Sequence, residues 1–156
     1  MAHVTTDADT TASPERVIRA LTDFSSKRFE LWPTVDRAYF KVESSGDTRA
    51  EVTEGNGALG GIWEKGQYDW SNPGTVRIDV TDSNAFKRGS YWVYQVTPRP
   101  DGGSHVHMEF DRRPRSLRGR LASALFKVAG RQIYGKQLRE TLHRVEVYDR
   151  PGADLH

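Results

Sequence analysis

The sequence has no cysteine, so neither a disulfide nor thiolate chemistry contributes to its fold or function. It also has no run of about 20 apolar residues, the length that a membrane-spanning helix needs. The first ten residues lack the apolar segment of a signal peptide. These absences exclude a disulfide-stapled secreted scaffold and predict a cytoplasmic protein without a transmembrane segment.

The net charge of +2 is unevenly distributed along the 156 residues. Residues 112–147 hold ten Arg or Lys and two acidic residues, a local charge of +8, which leaves −6 for the rest. Basic runs are usually solvated faces; the alternatives are attraction of an anionic ligand or lipid surface, or of nucleic acid. No exposed aromatics interleave the run to stack on single-stranded bases, so no nucleic acid is expected as a partner. The run consists of Arg112, Arg113, Arg115, Arg118 and Arg120.

Residues 3–32 predict a short edge strand followed by two short helices. Residues 3–9 alternate weakly between apolar and polar side chains. Ser13 is a good N-cap, Pro14 suits the first helical position, and apolar residues then recur at helical spacing. Residues 27–32 predict a second short helix, which Pro33 ends.

Residues 35–111 alternate with a period of two, beginning with a strand at Ala38, which predicts six successive strands. Glycine-rich and asparagine-rich turns separate them, so neighbouring strands are expected to be antiparallel. In the later strands one face is apolar and the other is polar, which predicts a sheet with one dry side that another element must cover.

Residues 116–148 contain no proline and predict one long amphipathic helix that covers the dry side of the sheet. Gln132 and Gly135 interrupt its apolar seam, so bulky side chains are expected to be missing there. Residues 1–148 are predicted to form one domain and residues 149–156 a frayed tail. The seam consists of Leu117, Leu121, Leu125, Val128, Leu138, Leu142 and Val145.

The order of elements and three local segments, residues 12–17, 89–98 and 102–106, carry a family resemblance. The chain resembles the START-like or SRPBCC superfamily, and within it the polyketide cyclase/dehydrase group. The resemblance implies an α+β helix-grip fold, in which a curved antiparallel sheet of about seven strands wraps a long C-terminal helix. Members include lipid carriers, hormone receptors and aromatase/cyclases, so the resemblance does not select an activity.

A bent sheet that grips a helix leaves a hollow wherever the helix lacks large side chains. We therefore expect an interior pocket between the sheet and the C-terminal helix. An empty cavity of about 300 Å³, the lower end for ligand sites, would cost roughly 7 kcal/mol, so the hollow is expected to be small, hydrated or occupied by a ligand. The predicted function is binding or carriage of a small apolar molecule, with no cofactor. The expected ligand-binding residues are Trp63, Trp70, Trp92, Tyr94, Met108, Phe110, Gln132 and Gly135.

The alternative function is a polyketide cyclase or dehydratase, for which Glu64 and Tyr68 are the candidate catalytic residues. An inward Glu64 beside Tyr68 would serve as an acid or base in an aldol cyclisation or a dehydration. Gly66 suggests a bulge, which leaves open the face that each side chain takes. An outward Glu64 paired with a surface cation is the competing interpretation, so whether the protein is an enzyme stays open.

Two further patterns do not support a site. Residues 55–60 match the dinucleotide pattern G-x-G-x-x-G, but an aromatic strand follows where that motif needs a helix, so a flexible hairpin is predicted. His105, His107 and Glu109 share one face of a strand and are candidate metal ligands. Because Val106 and Phe110 occupy the dry face, the three point to solvent, and no metal site is predicted.

Overall fold

A computed structural model describes residues 2–148, and residues 149–156, the predicted tail, lie outside the described part. The chain begins with β1 (Ala2–Thr10), which is followed by α1 (Pro14–Thr22) and α2 (Lys27–Leu31). It ends with α3 (Leu117–Tyr148). Between them lie β2 (Lys41–Ser45), β3 (Arg49–Asn56), β4 (Ile62–Asp69), β5 (Thr75–Ser83), β6 (Tyr91–Pro98) and β7 (Ser104–Arg112).

The seven strands form one curved antiparallel sheet in the order β1-β7-β6-β5-β4-β3-β2. The first strand therefore pairs with the last, from Ala2 opposite Arg112 to Thr10 opposite Ser104. Hairpins join all the other neighbours. The predicted α+β helix-grip fold, with two short helices after the first strand, is confirmed. In the part of the chain that the structure describes, every helix is too short or too polar to cross a membrane.

Local signals explain where the first elements begin. The Ser13 side chain accepts a hydrogen bond from the Arg16 backbone N–H, and Pro14 opens α1, as predicted. The strand predicted to start at Ala38 begins only at Lys41, because Arg37–Tyr39 form a 3₁₀ turn instead. The Asp36 carboxylate caps this turn by accepting from the Ala38 N–H at 2.9 Å.

The pairing of β4 decides which of its side chains face the interior. β4 pairs with β3 without interruption, so Glu64, Gly66 and Tyr68 share the inner face. The bulge lies on β5, where Thr81 is the extra residue between the partners of Lys65 and Gly66. Glu64 and Tyr68 therefore both point inward.

The two halves of α3 bury different kinds of residue. In the second half, Leu138, Leu142 and Val145 are buried, as predicted. In the first half the predicted seam is wrong, because its four apolar residues are exposed. Their exposed fractions are 72% for Leu117, 53% for Leu121, 52% for Leu125 and 87% for Val128.

Close approach of the backbone explains the error in the first half of α3. A Cβ on Gly119 would lie 1.9 Å from the Ala85 carbonyl oxygen, so only glycine fits there. Ala122 and Ser123 are buried on the same side of the helix. Small residues therefore bring this half close to the loop that follows β5, and the leucines turn outward.

Candidate functional site

Two buried arginines mark one end of the interior, which we call the polar end. Arg28 on α2 is 4% exposed and Arg112, the last residue of β7, is 5% exposed. Each pairs with a carboxylate, Glu54 for Arg28 and Glu64 for Arg112. Glu54 and Glu64 are directly opposite each other in the register of β3 and β4, so the two ion pairs are neighbours.

Arg28 is held by charge, hydrogen bonds and aromatic rings together. Its Nη2 donates to Glu54 Oε1 at 2.8 Å and to the Tyr68 hydroxyl oxygen at 2.7 Å, while its Nη1 donates to the Leu21 carbonyl at 2.9 Å. The Tyr68 hydroxyl in turn donates a short hydrogen bond to Glu54. Three aromatic rings surround the guanidinium carbon, with centroids at 5.2 Å (Phe24), 5.3 Å (Trp32) and 5.6 Å (Tyr68).

Arg112 has the same kind of surroundings on the other side of the polar end. It forms a short ion pair with Glu64, whose Oε1 also accepts a hydrogen bond from Trp92 Nε1 at 3.2 Å. Rings surround this guanidinium carbon too, with centroids at 4.3 Å (Trp92), 4.6 Å (Phe86) and 5.8 Å (Phe110).

One donor on each arginine is unused within the described residues. The Nε atoms of Arg28 and Arg112 are buried and have no hydrogen-bond partner there. A buried donor without a partner costs about 1–3 kcal/mol, and a buried ion pair is often no better for stability than a well-packed apolar substitute. Stability alone therefore does not explain these residues.

The tyrosines at the polar end are neutral hydrogen-bonding groups. Burial raises the pKa of Tyr134 to about 12. Burial also raises the pKa of Tyr68 and of Tyr94 above the usual value, although Arg28 opposes the shift. Burial lowers the pKa of Arg28, but the nearby Glu54 more than offsets this and holds that pKa above its ordinary value. Charged arginines thus lie beside uncharged phenols at neutral pH.

Aromatic side chains from α3 fill the gap that the sequence predicts in its seam. Tyr134 has its ring centroid 4.6 Å from that of Phe110 and 5.3 Å from that of Trp92. Phe126 lies 5.8 Å from Phe110 and 5.3 Å from Tyr134. Phe126 and Tyr134 therefore fill interior space beside Phe110, whereas Gly135 lies against Thr6 of β1.

The hollow found between the sheet and α3 is too small to hold a ligand as it stands. The void found there measures about 10 Å³, roughly the room that one water molecule needs. Trp32, Tyr94 and Leu142 are among its apolar lining residues. The pocket is this small because the aromatic rings of Phe126 and Tyr134 occupy the space beside it.

Six of the predicted ligand-binding residues lie in or beside the interior. Tyr94, Met108 and Phe110 are buried, and Trp92 and Trp70 are half-buried against the same core. Gly135 is buried where α3 crosses β1, and a Cβ there would lie 3.0 Å from Thr6 Oγ1.

The other two predicted ligand-binding residues lie elsewhere. Gln132 is exposed, because the interior side of α3 at this level is taken by Gly130 and Tyr134. Trp63 lies on the face of β4 opposite to Glu64, since side chains alternate along an uninterrupted strand. Both predicted placements at an interior site are therefore corrected.

Sequence reasoning named Glu64 but missed the other three charged residues of the polar end, although two of the three carry a signal. Arg112 comes two residues after Phe110 and so falls on the dry face, although its position in a basic run favours a solvated side chain. Glu54 likewise comes two residues after the buried Val52. Arg28 lies on a five-residue helix, which is too short for spacing to show its buried side.

An open groove on the surface reaches the same end of the molecule. It has a volume of about 490 Å³ and lies between the end of α1 and β2, with Thr22, Phe24 and Val42 in its lining. The Phe24 ring also packs against Tyr68, with centroids 4.9 Å apart. Phe24 therefore separates the groove from the Arg28 network.

The histidines considered as metal ligands lie on the outer face of the sheet. His105 contacts Asp9 through Nδ1 at 2.7 Å and Asp7 through Nε2 at 2.9 Å. His107 contacts Asp7 through Nδ1 at 2.8 Å. These pairs are solvent-facing, as the alternation of β7 predicts.

Solved structures share this fold at low sequence identity. A Thermus thermophilus protein superposes with a TM-score of 0.76 at 17% identity, covering 95% of this chain and 99% of that one. The Zhui aromatase/cyclase from a Streptomyces species gives 0.77 at 12% identity, covering 98% of each chain. A START superfamily protein from Mycobacterium smegmatis gives 0.72 at 13%, covering 94% of this chain and 98% of the other.

Sequence comparison adds the family. No curated protein sequence matches the chain. The family described as polyketide cyclase / dehydrase and lipid transport matches residues 1–146, nearly the whole chain. This chain therefore belongs to the polyketide cyclase / dehydrase and lipid transport family.

Proposed function

We propose that the protein binds a small lipophilic molecule with flat rings and oxygen substituents at the polar end of its interior. One observation carries the proposal: Arg28 and Arg112 are buried against aromatic rings, and the Nε of each has no partner among the described residues. A planar guanidinium stacks on flat rings and donates to oxygen atoms. An aromatic ligand with carbonyl, phenol or carboxylate oxygens supplies both contacts.

The ligand must displace side chains, because the interior void is only about 10 Å³. The first half of α3 is the segment we expect to move. It faces the protein through Gly119, Ala122 and Ser123, which bury little apolar surface, while its leucines point to solvent. Segments with few buried apolar contacts open at low free-energy cost. Opening moves Phe126, which lies in this half, away from Phe110 and Tyr134 and leaves its space to the ligand.

Family membership supports a lipophilic ligand without naming it. The family description covers both polyketide cyclases or dehydrases and lipid transport. Both kinds of protein handle apolar molecules, whereas the aromatic and charged lining favours a ring system over a plain acyl chain.

Isothermal titration with 2-naphthoic acid, naphthalene and decanoic acid tests the proposal. The double variant Arg112→Met with Glu64→Gln removes the charged pair without leaving one partner alone. We expect the wild type to prefer 2-naphthoic acid over naphthalene by about tenfold, and the double variant to lose that preference. The outer-face variant His107→Gln is the matched control and should bind as the wild type does.

The proposal is contradicted if none of the three probes binds, or if the double variant keeps the preference for the acid. Preference for decanoic acid over 2-naphthoic acid would favour an acyl carrier and overturn the aromatic assignment.

A second candidate function is cyclisation or dehydration of a polyketide-like chain. The observation in its favour is that Glu64 and Tyr68 both face the interior, on one face of β4. Glu64 would accept a proton from the carbon next to a ketone. The neutral Tyr68 hydroxyl would hydrogen-bond the oxygen on which negative charge develops.

Incubation with a linear poly-β-ketone thioester tests this second function. Ring formation, followed by mass spectrometry as loss of water, should exceed the rate without protein and fall at least about a hundredfold in Glu64→Gln. An unchanged rate in that variant, with its fold intact by circular dichroism, would remove Glu64 from the mechanism.

A further inference from the structure

The first half of α3 has an apolar stripe on the side that points away from the protein. Its members are Leu117, Leu121, Leu125 and Val128, each more than half exposed. At about 100° per residue they lie within about 80° of one another, opposite the small buried residues Gly119, Ala122 and Ser123. Single exposed apolar residues need no explanation, but a contiguous stripe on one helix does.

A strained turn adds one more apolar side chain beside this stripe. Leu59 is 48% exposed and has a φ of 51°, a left-handed conformation that a bulky residue rarely adopts. Gly60 and Gly61, which follow it, also have positive φ. The turn lies against the start of α3, because Arg118 Nη1 donates to the Gly61 carbonyl oxygen at 3.1 Å. Leu59 is thus exposed on a turn that contacts the start of α3.

Positive charge surrounds the stripe. Residues 112–131 contain seven Arg or Lys and no Asp or Glu. Arg112 is buried, and the other six are exposed. By helical geometry, Arg118 flanks one side of the stripe, whereas Arg120, Lys127 and Arg131 flank the other.

We propose that this face of α3, together with Leu59, docks on an anionic lipid membrane. The leucines would enter the boundary between headgroups and acyl chains, while the flanking arginines and lysine contact the lipid phosphates. The stripe from Leu117 to Val128 is about 17 Å long at 1.5 Å per residue, so it lies flat in the interface rather than spanning the bilayer. This inference does not rest on the ligand proposed above.

Other occupants fit the face less well. A second copy related by a two-fold axis would bring the same six exposed cations against each other. Nucleic acid would satisfy the charge but leave the leucines without partners, since the stripe contains no aromatic side chain for base stacking. An anionic bilayer satisfies both the charged and the apolar parts.

Vesicle co-sedimentation of the full chain tests the docking surface. Vesicles of phosphatidylcholine are compared with vesicles that also contain phosphatidylglycerol, at low and high salt. We expect binding only to the anionic vesicles and weaker binding at high salt. Leu121→Gln with Leu125→Gln should weaken it at least about tenfold, because two side chains lose their burial. Arg120→Gln with Lys127→Gln should weaken it about tenfold.

The matched control is Lys41→Gln with Arg49→Gln, which removes the same charge from exposed positions on β2 and β3 and should leave binding nearly unchanged. All the substituted residues are exposed, so the fold should persist, as circular dichroism would verify. Absence of binding to anionic vesicles at low salt overturns the proposal. So does undiminished binding by the leucine variant, or a dimer of the wild type that the leucine variant dissociates.

Discussion

The two ends of the interior are built on different principles, although the same helix covers both. At the apolar end, the second half of α3 packs Leu138, Leu142 and Val145 into a core with a void of about 10 Å³. At the polar end, Arg28 and Arg112 are buried among aromatic rings, and Phe126 and Tyr134 of α3 pack there against Phe110. The apolar end serves stability, whereas the polar end keeps buried charges that stability does not require.

The largest expected effect comes from breaking an ion pair at the polar end. Arg112→Ala leaves Glu64 buried without its partner and should lower the free energy of unfolding by about 3–5 kcal/mol. The double variant Arg112→Met with Glu64→Gln should lose much less, because neither charge remains. Urea denaturation of both variants checks this. Equal losses in the single and double variants would mean that the charge pair does not matter.

Removing side-chain volume should lower the free energy of unfolding at the apolar end but not at the exposed stripe of α3. Leu142→Ala removes buried methyl groups and should cost about 2–5 kcal/mol. Leu121→Ala, at an exposed position of the same helix, should stay within about 0.5 kcal/mol of the wild type. Thermal and urea unfolding of the two variants compare the two halves directly. A large loss in Leu121→Ala would show that the stripe packs against the protein.

The close approach of Gly119 on α3 to the Ala85 backbone predicts a third, smaller effect on stability. Gly119→Ala must move the helix away from the Ala85 carbonyl oxygen, which should cost about 1–3 kcal/mol despite the better helix propensity of alanine. Gly57→Ala is the control, since a Cβ there meets no atom within 4 Å. A Gly119→Ala variant as stable as the wild type would show that the two segments are farther apart.

The smallest effect belongs to the outer face of the sheet. Hydrogen bonds to Asp9 and Asp7 raise the pKa of His105 above its usual 6.5. The resulting stability is fully present below pH 6.5 and is lost as the pH rises through the higher pKa of the folded state. The measurement is the His105 titration by NMR, and Asp9→Asn should bring that pKa closer to 6.5. An unchanged pKa in this variant would rule out the contact.

Patterns in the sequence were sufficient for the order of elements but not for the facing of α3. Alternation in β6 and β7 located Trp92, Tyr94, Met108 and Phe110, since one face of a sheet is buried or exposed as a unit. On α3, apolar spacing identified the stripe at Leu121 correctly but assigned it to the wrong side. In that half of the helix, one uncharged face carries large apolar side chains and another carries small residues. Only tertiary packing decides which of the two faces is buried.

The site was less predictable than the fold for a related reason. Hydrophobic patterning treats arginine as a surface residue, yet Arg112 falls on the dry face by simple counting from Phe110. Its burial depends on Glu64 and on three rings from distant parts of the chain. Phe126 and Tyr134 fill the predicted pocket because of how α3 is rotated about its own axis. The spacing of apolar residues in the sequence does not define that rotation.

Indole N–H resonances under titration with 2-naphthoic acid give the most direct test of ligand binding at the polar end. Trp92 donates its indole N–H to Glu64 inside the polar end, whereas Trp63 lies on the opposite face of the sheet. We predict that the Trp92 resonance, assigned with Trp92→Phe, shifts on titration and that the Trp63 resonance does not. A Trp92 resonance that stays in place while the probe binds would contradict the account.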